Sequence, residues 1–306
     1  MPLTGKQFTI KAGQHEVTVV EVGGGLRRYT HGGVDVLAPY GEEELPPNGA
    51  GQVLMPWPNR LRGGLYSFGG RTYQLPITEV PRGNANHGLA RWTRWSPVAI
   101  DRAAVTLACD IVPQTGWPFE IRAELTYALH SDHGLAITAV ARNHGRTPAP
   151  FGAGFHPYFS THGHALDEVS VHVPADQRLV TDEAQLPVGV QEVAKTHYDL
   201  RRGHPLKTLR LDDTFTNLST VDGLATVEVR TRSGGAQLWF DAAFAYLQVY
   251  THERLGGGGA PAVAVEPMTC PADALNSGAG LIILEPGRVW TGKWGIAPLS
   301  DAPARR

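Results

Sequence analysis

The chain has only 2 cysteines in 306 residues, and neither stands in a metal-ligand or redox spacing. Cys109 falls in a strand-like run and Cys270 lies beside Pro271, so both read as inert thiols. Charge is scarce too. With 18% charged residues and a net charge of -2, the protein has no general attraction for nucleic acid or acidic membrane surfaces. An anionic ligand would have to be held by a local arginine cluster. No apolar run approaches the ~20 residues of a membrane span, and residues 1–7 lack the apolar core of a signal peptide. The expectation is a soluble, cytoplasmic protein that binds neither nucleic acid nor membrane. Sustained helical periodicity is missing, as are heptads, fixed-period repeats and sharp shifts of composition. Residues 1–300 are therefore read as one domain and 301–306 as a flexible tail.

What the chain has in quantity is turns and alternation. The 36 glycines and 23 prolines divide it into short segments in which apolar and polar residues alternate with the period of a half-buried strand. Residues 7–22 read as a hairpin about Ala12-Gly13-Gln14, and similar patterns cover 28–37, 98–110 and 121–129. Two further strands are expected within 134–143, and others at 170–173, 225–230, 236–240, 247–251 and 281–284. The fold should be almost wholly antiparallel β, of a size ordinary for a large sandwich or barrel. Residues 42–49 and 256–259 read as surface loops. The second is either a flap over a site or an insertion without function.

Candidate chemistry begins with Glu266. The run Pro261-Ala262-Val263-Ala264-Val265 leads into it and Pro267 follows at once, which predicts a carboxylate leaving a buried strand at a pocket rim, the proline ending the strand. Partial desolvation raises the basicity of such a group and suits a general base; a strand-end glutamate facing water is the alternative. Four other stretches offer polar side chains in loops between strands: Asn59-Arg60, Asn86-His87-Gly88, His156-Pro157-Tyr158 and Asp212-Asp213. Around Asn59 and Arg60, Pro56 and Pro58 stiffen a loop whose Trp57 suits the apolar face of a sugar ring, or is simply core. His156, among aromatic residues and before proline, can act as an acid complementary to a glutamate base. His87 precedes a glycine that permits close approach of a ligand. Each of His87, His156 and Glu266 stands alone in its own segment, which argues against a zinc or iron site. Asp213 with Glu266 could form a glycosidase pair, but that leaves both histidines without a role.

In order along the chain, Asn59-Arg60-Leu61, Asn86-His87-Gly88, Gly154-Phe155-His156-Pro157-Tyr158-Phe159, Leu211-Asp212-Asp213-Thr214-Phe215 and Glu266-Pro267-Met268-Thr269 resemble the aldose 1-epimerase (galactose mutarotase-like) family. The resemblance runs from about residue 19 to residue 298. It implies a large antiparallel β-sandwich that interconverts the anomers of a free aldohexose such as glucose or galactose, as a monomer or homodimer, with no cofactor and no metal. It further implies Glu266 as base, His156 as acid, and Arg60, His87, Asp213, Asn59 and Tyr250 as sugar-binding residues.

The segment His87-Gly88-Leu89-Ala90-Arg91 is closer to that of the hexose-6-phosphate epimerases, which makes Arg91 a candidate phosphate ligand with Arg60, Arg62 or Arg94. Alternatively, Trp92-Thr93-Arg94-Trp95 alternates like a strand and Arg91 only braces the loop through an ion pair. The unphosphorylated sugar is the favoured substrate, with the hexose 6-phosphate and a noncatalytic sugar-binding role as alternatives.

Overall fold

The computed structural model describes residues 2–256 and 259–299, and its only α-helix among them is the single turn Ala274–Ser277. Two large antiparallel sheets make the sandwich. The first has nine strands, and its centre is formed by Ala104–Ile111, Ile121–His130, Gly134–Asn143, Val289–Leu299 and Gly234–Asp241, in that order. Ile121–His130 shows why these residues form strands. Ile121, Ala123, Leu125, Tyr127 and Leu129 all point inward and are buried, while the alternate side chains face outward. On that outer face Thr106 and Thr126 share a hydrogen bond of 2.9 Å across the strands. Residues 134–143, expected as two strands, form one strand of 10 residues paired along its whole length with Ile121–His130. The reason is that Leu135, Ile137, Ala139 and Ala141 keep their alternation with no turn residue between them.

The second sheet carries the site. Its order is Pro187–Glu192, Ala175–Thr181, Asp212–Leu218, Tyr246–His252, Ala262–Met268, Gly154–Phe155 and Val53–Leu54, with Tyr158–Ser160 also pairing Ala262–Met268. Phe155 of this sheet packs on Trp294 of the first at 4.8 Å between ring centroids, so the two sheets share one core. An amino-terminal sheet of four strands, beginning with the hairpin Gln7–Ala12 and His15–Val20, adds Phe8, Ile10, Val17 and Val19 to that core.

Ala262–Met268 is buried on both faces. Val263 and Val265 enter the shared core, whereas Ala262 and Ala264 pack with Tyr40, Ala50, Tyr158 and Leu255 on the opposite side, the face that Glu266 shares. Pro267 does not end this strand, contrary to expectation: the pairing continues through Leu247↔Pro267 to Tyr246↔Met268. The backbone N–H groups of Val265 and Thr269 donate to Pro157 and Ala153, so by alternation the nitrogen of Pro267 faces the break between Gly154–Phe155 and Tyr158–Ser160. No ladder bond is lost there, which is why a central strand tolerates the proline. The expected tail at 301–306 and two residues of the glycine loop, Gly257 and Gly258, lie outside the described residues.

Candidate active site

Glu266 consequently sits at the floor of a cleft rather than at its rim. The cleft encloses about 370 Å3, and its lining includes Gln52, Asn59, Arg60, Asn86, His87, Arg91, His156, Asp212, Gln248, Tyr250 and Glu266. His156 occupies the break in the strand beside Glu266. Its Nε2 lies 3.4 Å from Glu266 Oε1, and both side chains are buried. The imidazole stacks on Tyr158 at 5.0 Å and meets the edge of His87 at 5.5 Å, so its position is fixed from two sides.

Burial works against charge on either member of this pair. Desolvation lifts the Glu266 carboxyl well above the ordinary range, with nearby Asp212 adding to the rise and Arg60 opposing it. Desolvation also lowers His156, to about 3, and the charges of Arg91 and Arg60 act in the same sense. Between those limits the pair holds a single proton, which the two groups can exchange without any change of net charge. Glu266 Oε2, His156 Nδ1, Gln52 Oε1 and Asn86 Oδ1 are buried without a protein hydrogen-bond partner. Four such atoms in one cleft leave hydrogen-bonding capacity that a polar ligand can use.

The walls are built by backbone in unusual conformations. Asn59 and His87 both have positive φ, 57° and 64°, on facing ends of the short paired strands Arg60–Arg62 and Asn84–Asn86. Thus Arg60 and Asn86, expected in loops, lie on strands. Gly88 could not be another residue: a Cβ there would come within 2.1 Å of the Met55 carbonyl oxygen. The Asn59 backbone N–H donates to His87 Nδ1 at 3.1 Å. An N–H can only donate, so Nδ1 is unprotonated and His87 offers its Nε2–H as a fixed donor. Burial, reinforced by His156, Arg91 and Arg60, keeps this ring neutral. Arg60 is oriented by Glu79, whose two oxygens accept from its Nε at 3.1 and 3.0 Å.

The structure corrects the choice between the two adjacent aspartates. Asp212 pairs with Tyr250 and Thr214 with Gln248, so their side chains share the face of Glu266. Asp213 is one residue out of phase and points the other way, where its carboxylate accepts from Arg178 Nη1 at 2.6 Å outside the cleft. Asp212 is the cleft carboxylate. It accepts from Gln248 Nε2 at 2.7 Å, while Thr214 and Asn59 donate to Gln248 Oε1.

Of the two readings of Trp57, the core one holds. The side chain is buried against Trp117 at 5.9 Å and serves the core, while Trp92 and Tyr250 supply the aromatic surface of the cleft. Ala90–Trp92 is a 3-10 turn rather than a strand, because Leu89 and Ala90 both donate to the Met55 carbonyl and curl the chain. Arg94 pairs with Glu21, and Arg62 with Asp182 and Asp273, so neither joins Arg91 in the cleft. Gln52, Arg82, Trp92 and Gln248 are cleft residues that sequence reasoning missed. For Gln248 a signal existed, since it lies two residues from Tyr250 on one strand and so on the same face.

Residues 6–297 match the family described as aldose 1-epimerase. The chain is 33% identical to the uncharacterized protein YihR of Escherichia coli (strain K12) over 288 residues, 94% of this chain and 92% of that one. It is 30% identical to the maltose epimerase of Levilactobacillus brevis over 158 residues, which cover 48% of this chain and 45% of the relative. The GalM/aldose epimerase homologue of C. elegans superposes with a TM-score of 0.85 at 19% identity, covering 96% of this chain and 98% of that one, and so shares the fold. With the match extending over nearly its whole length, the chain belongs to the aldose 1-epimerase family.

Proposed function

We propose that this protein interconverts the α and β anomers of an aldohexose, with Glu266 and His156 as base and acid. The observation that carries this reading is the buried His156–Glu266 contact of 3.4 Å at the floor of a polar cleft. The hydroxyl and ring oxygens of a cyclic sugar share the anomeric carbon, so two groups this close reach both. With their shared proton on His156, Glu266 takes the proton of the anomeric hydroxyl while His156 gives its own to the ring oxygen. The C1–O5 bond breaks, leaving an aldehyde at C1 and a hydroxyl at C5. After rotation about C1–C2, His156 recovers the proton from that hydroxyl as its oxygen attacks C1, and Glu266 returns its proton to the carbonyl oxygen. The cycle restores both groups and requires no cofactor. Maltose, named as the substrate of the Levilactobacillus brevis relative, ends in the same hemiacetal, which supports the reaction class.

His87 fits the role of a neutral donor to the ring oxygen, and Arg60, Asn59, Asp212, Gln248 and Tyr250 that of partners to sugar hydroxyls. Freshly dissolved α-glucose and α-galactose should reach anomeric equilibrium faster with the protein than without it, as followed by polarimetry. Binding of sugars without that acceleration would support a noncatalytic sugar binder instead.

The two aspartates provide a separate test. Asp212→Asn is expected to raise KM about tenfold, because a charge-assisted hydrogen bond is lost, with little change in Tm. Asp213→Asn is expected to leave KM nearly unchanged but to cost about 2 kcal/mol of stability, since Arg178 loses a partner in a mostly buried position. Steady-state kinetics and thermal melts of both variants check this. The opposite pattern would return the sugar contact to Asp213.

A further inference from the structure

We propose that the sugar this cleft is built for carries one negative charge on its exocyclic carbon, as a carboxylate or a singly charged sulfur oxyanion, and that Arg91 receives it. The inference rests on the acid–base reading above, which fixes how the sugar lies.

Charge balance comes first. Three arginines line the cleft. Arg60 is paired with Glu79 at 3.0 Å and lies 3.9 Å from Asp212, and Arg82 is paired with Glu79 at 3.1 Å, so two cations face two carboxylates. The His156–Glu266 pair, sharing one proton, adds nothing to the balance. Arg91 is left over: among the described residues no carboxylate lies within 4.0 Å of its guanidinium. Its side chain is nonetheless partly shielded, and burial works against its charge. What holds it in place is the indole of Trp92, 5.4 Å from the guanidinium carbon, which orients a cation without neutralising it.

Orientation comes second. Arg91 sits on the flank of His156. The Gln52 side chain donates to the Arg91 carbonyl at 3.3 Å, and the Gln52 carbonyl accepts from the His156 N–H at 3.1 Å. Arg91 and Arg60 both act on His156 and His87, and of the two only Arg60 also acts on Glu266. If His156 addresses the ring oxygen, the carbon next in the ring on that flank is C5, and C6 hangs from it. A guanidinium there meets a substituent on C6, and its fork of N–H donors matches two oxygens of an oxyanion. A single unmatched positive charge favours a monoanion over a phosphate dianion.

The test measures anomer exchange at equilibrium by NMR for glucose, galactose, glucuronate, glucose 6-sulfate and glucose 6-phosphate, in the wild type and in Arg91→Gln and Arg91→Lys. The expected wild-type result is a kcat/KM for glucuronate or glucose 6-sulfate at least about tenfold above that for glucose, and above that for glucose 6-phosphate. In Arg91→Gln the ratio of anionic to neutral sugar should fall to about one, and in Arg91→Lys it should recover in part. Comparing glucuronate with the sulfate tells whether a planar or a tetrahedral group is preferred. Turnover of glucose or galactose with no anionic advantage, or an advantage that survives Arg91→Gln, overturns this inference while leaving the epimerase reading in place. Preference for glucose 6-phosphate overturns the single-charge assignment. Acceleration of none of the five sugars is the distinct result that overturns the epimerase reading itself.

Discussion

Replacing Glu266 by glutamine is expected to lower kcat by about a thousandfold while KM stays within about tenfold of wild type. The amide keeps the size and hydrogen-bonding reach of the carboxyl but cannot take the proton of the anomeric hydroxyl. On the proposed reading the sugar is held mainly by other groups, so binding should survive. A stability measurement separates this loss from misfolding. Burial raises the Glu266 carboxyl well above its ordinary value, so the folded protein holds this proton more tightly than the unfolded chain does. Its contribution to stability is complete below the unfolded value near 4.5 and declines as pH rises towards the folded one. Glu266→Gln should therefore be at least as stable as wild type at pH 8 and should show a smaller loss between pH 5 and pH 8. A variant that keeps near-wild-type turnover would remove Glu266 from the mechanism.

The second large effect is expected at His156. Changing it to asparagine should lower kcat by about a hundredfold or more, because the leaving ring oxygen loses its acid. The wild-type pH profile carries the sharper signature. An ordinary histidine acid would give a limb near 6.5, but burial takes His156 to about 3. The singly protonated pair then survives as pH falls through 6 and 5, so kcat/KM should hold its plateau there. On the alkaline side it should decline when the pair loses its one proton, at a pH set by the raised Glu266. An acid limb at 6.5 would mean that His156 is far more exposed in solution than in the fold described above. The same shift has a consequence for stability: a depressed histidine stabilises the fold above 6.5 and loses that contribution as pH falls towards about 3. Acid melts of His156→Asn should accordingly be less steep than those of the wild type.

How much of this could be read from sequence depended on distance along the chain. Strands such as Ile121–His130 were legible because alternation is local and continuous. The residues brought together in the cleft were legible one at a time, each from a short motif, and the fold places Asn59, Arg60, His87, Arg91, His156, Tyr250 and Glu266 around it. What could not be read was parity. Whether Asp212 or Asp213 faces the cleft depends on which residue stands opposite Tyr250, and that register is fixed by strands 36 and more residues away. Pro267 misled for a related reason. A proline ends a strand only where its nitrogen has a neighbour to serve, and here the neighbouring strand is interrupted. Trp57 was ambiguous because an indole between prolines looks alike in a core and in a binding loop.

That interruption has a further consequence. His156 sits in the break between the two short strands that pair with the strand of Glu266, so their separation is set by backbone pairing shared with the core. Arg82, Arg91 and Trp92, by contrast, come from turns and connections around the mouth. A change in the length of those turns would alter the rim and leave the His156–Glu266 distance as it is. One unpaired step in a β-sheet thus holds the His156–Glu266 pair on the shared core and leaves the mouth of the cleft to turns.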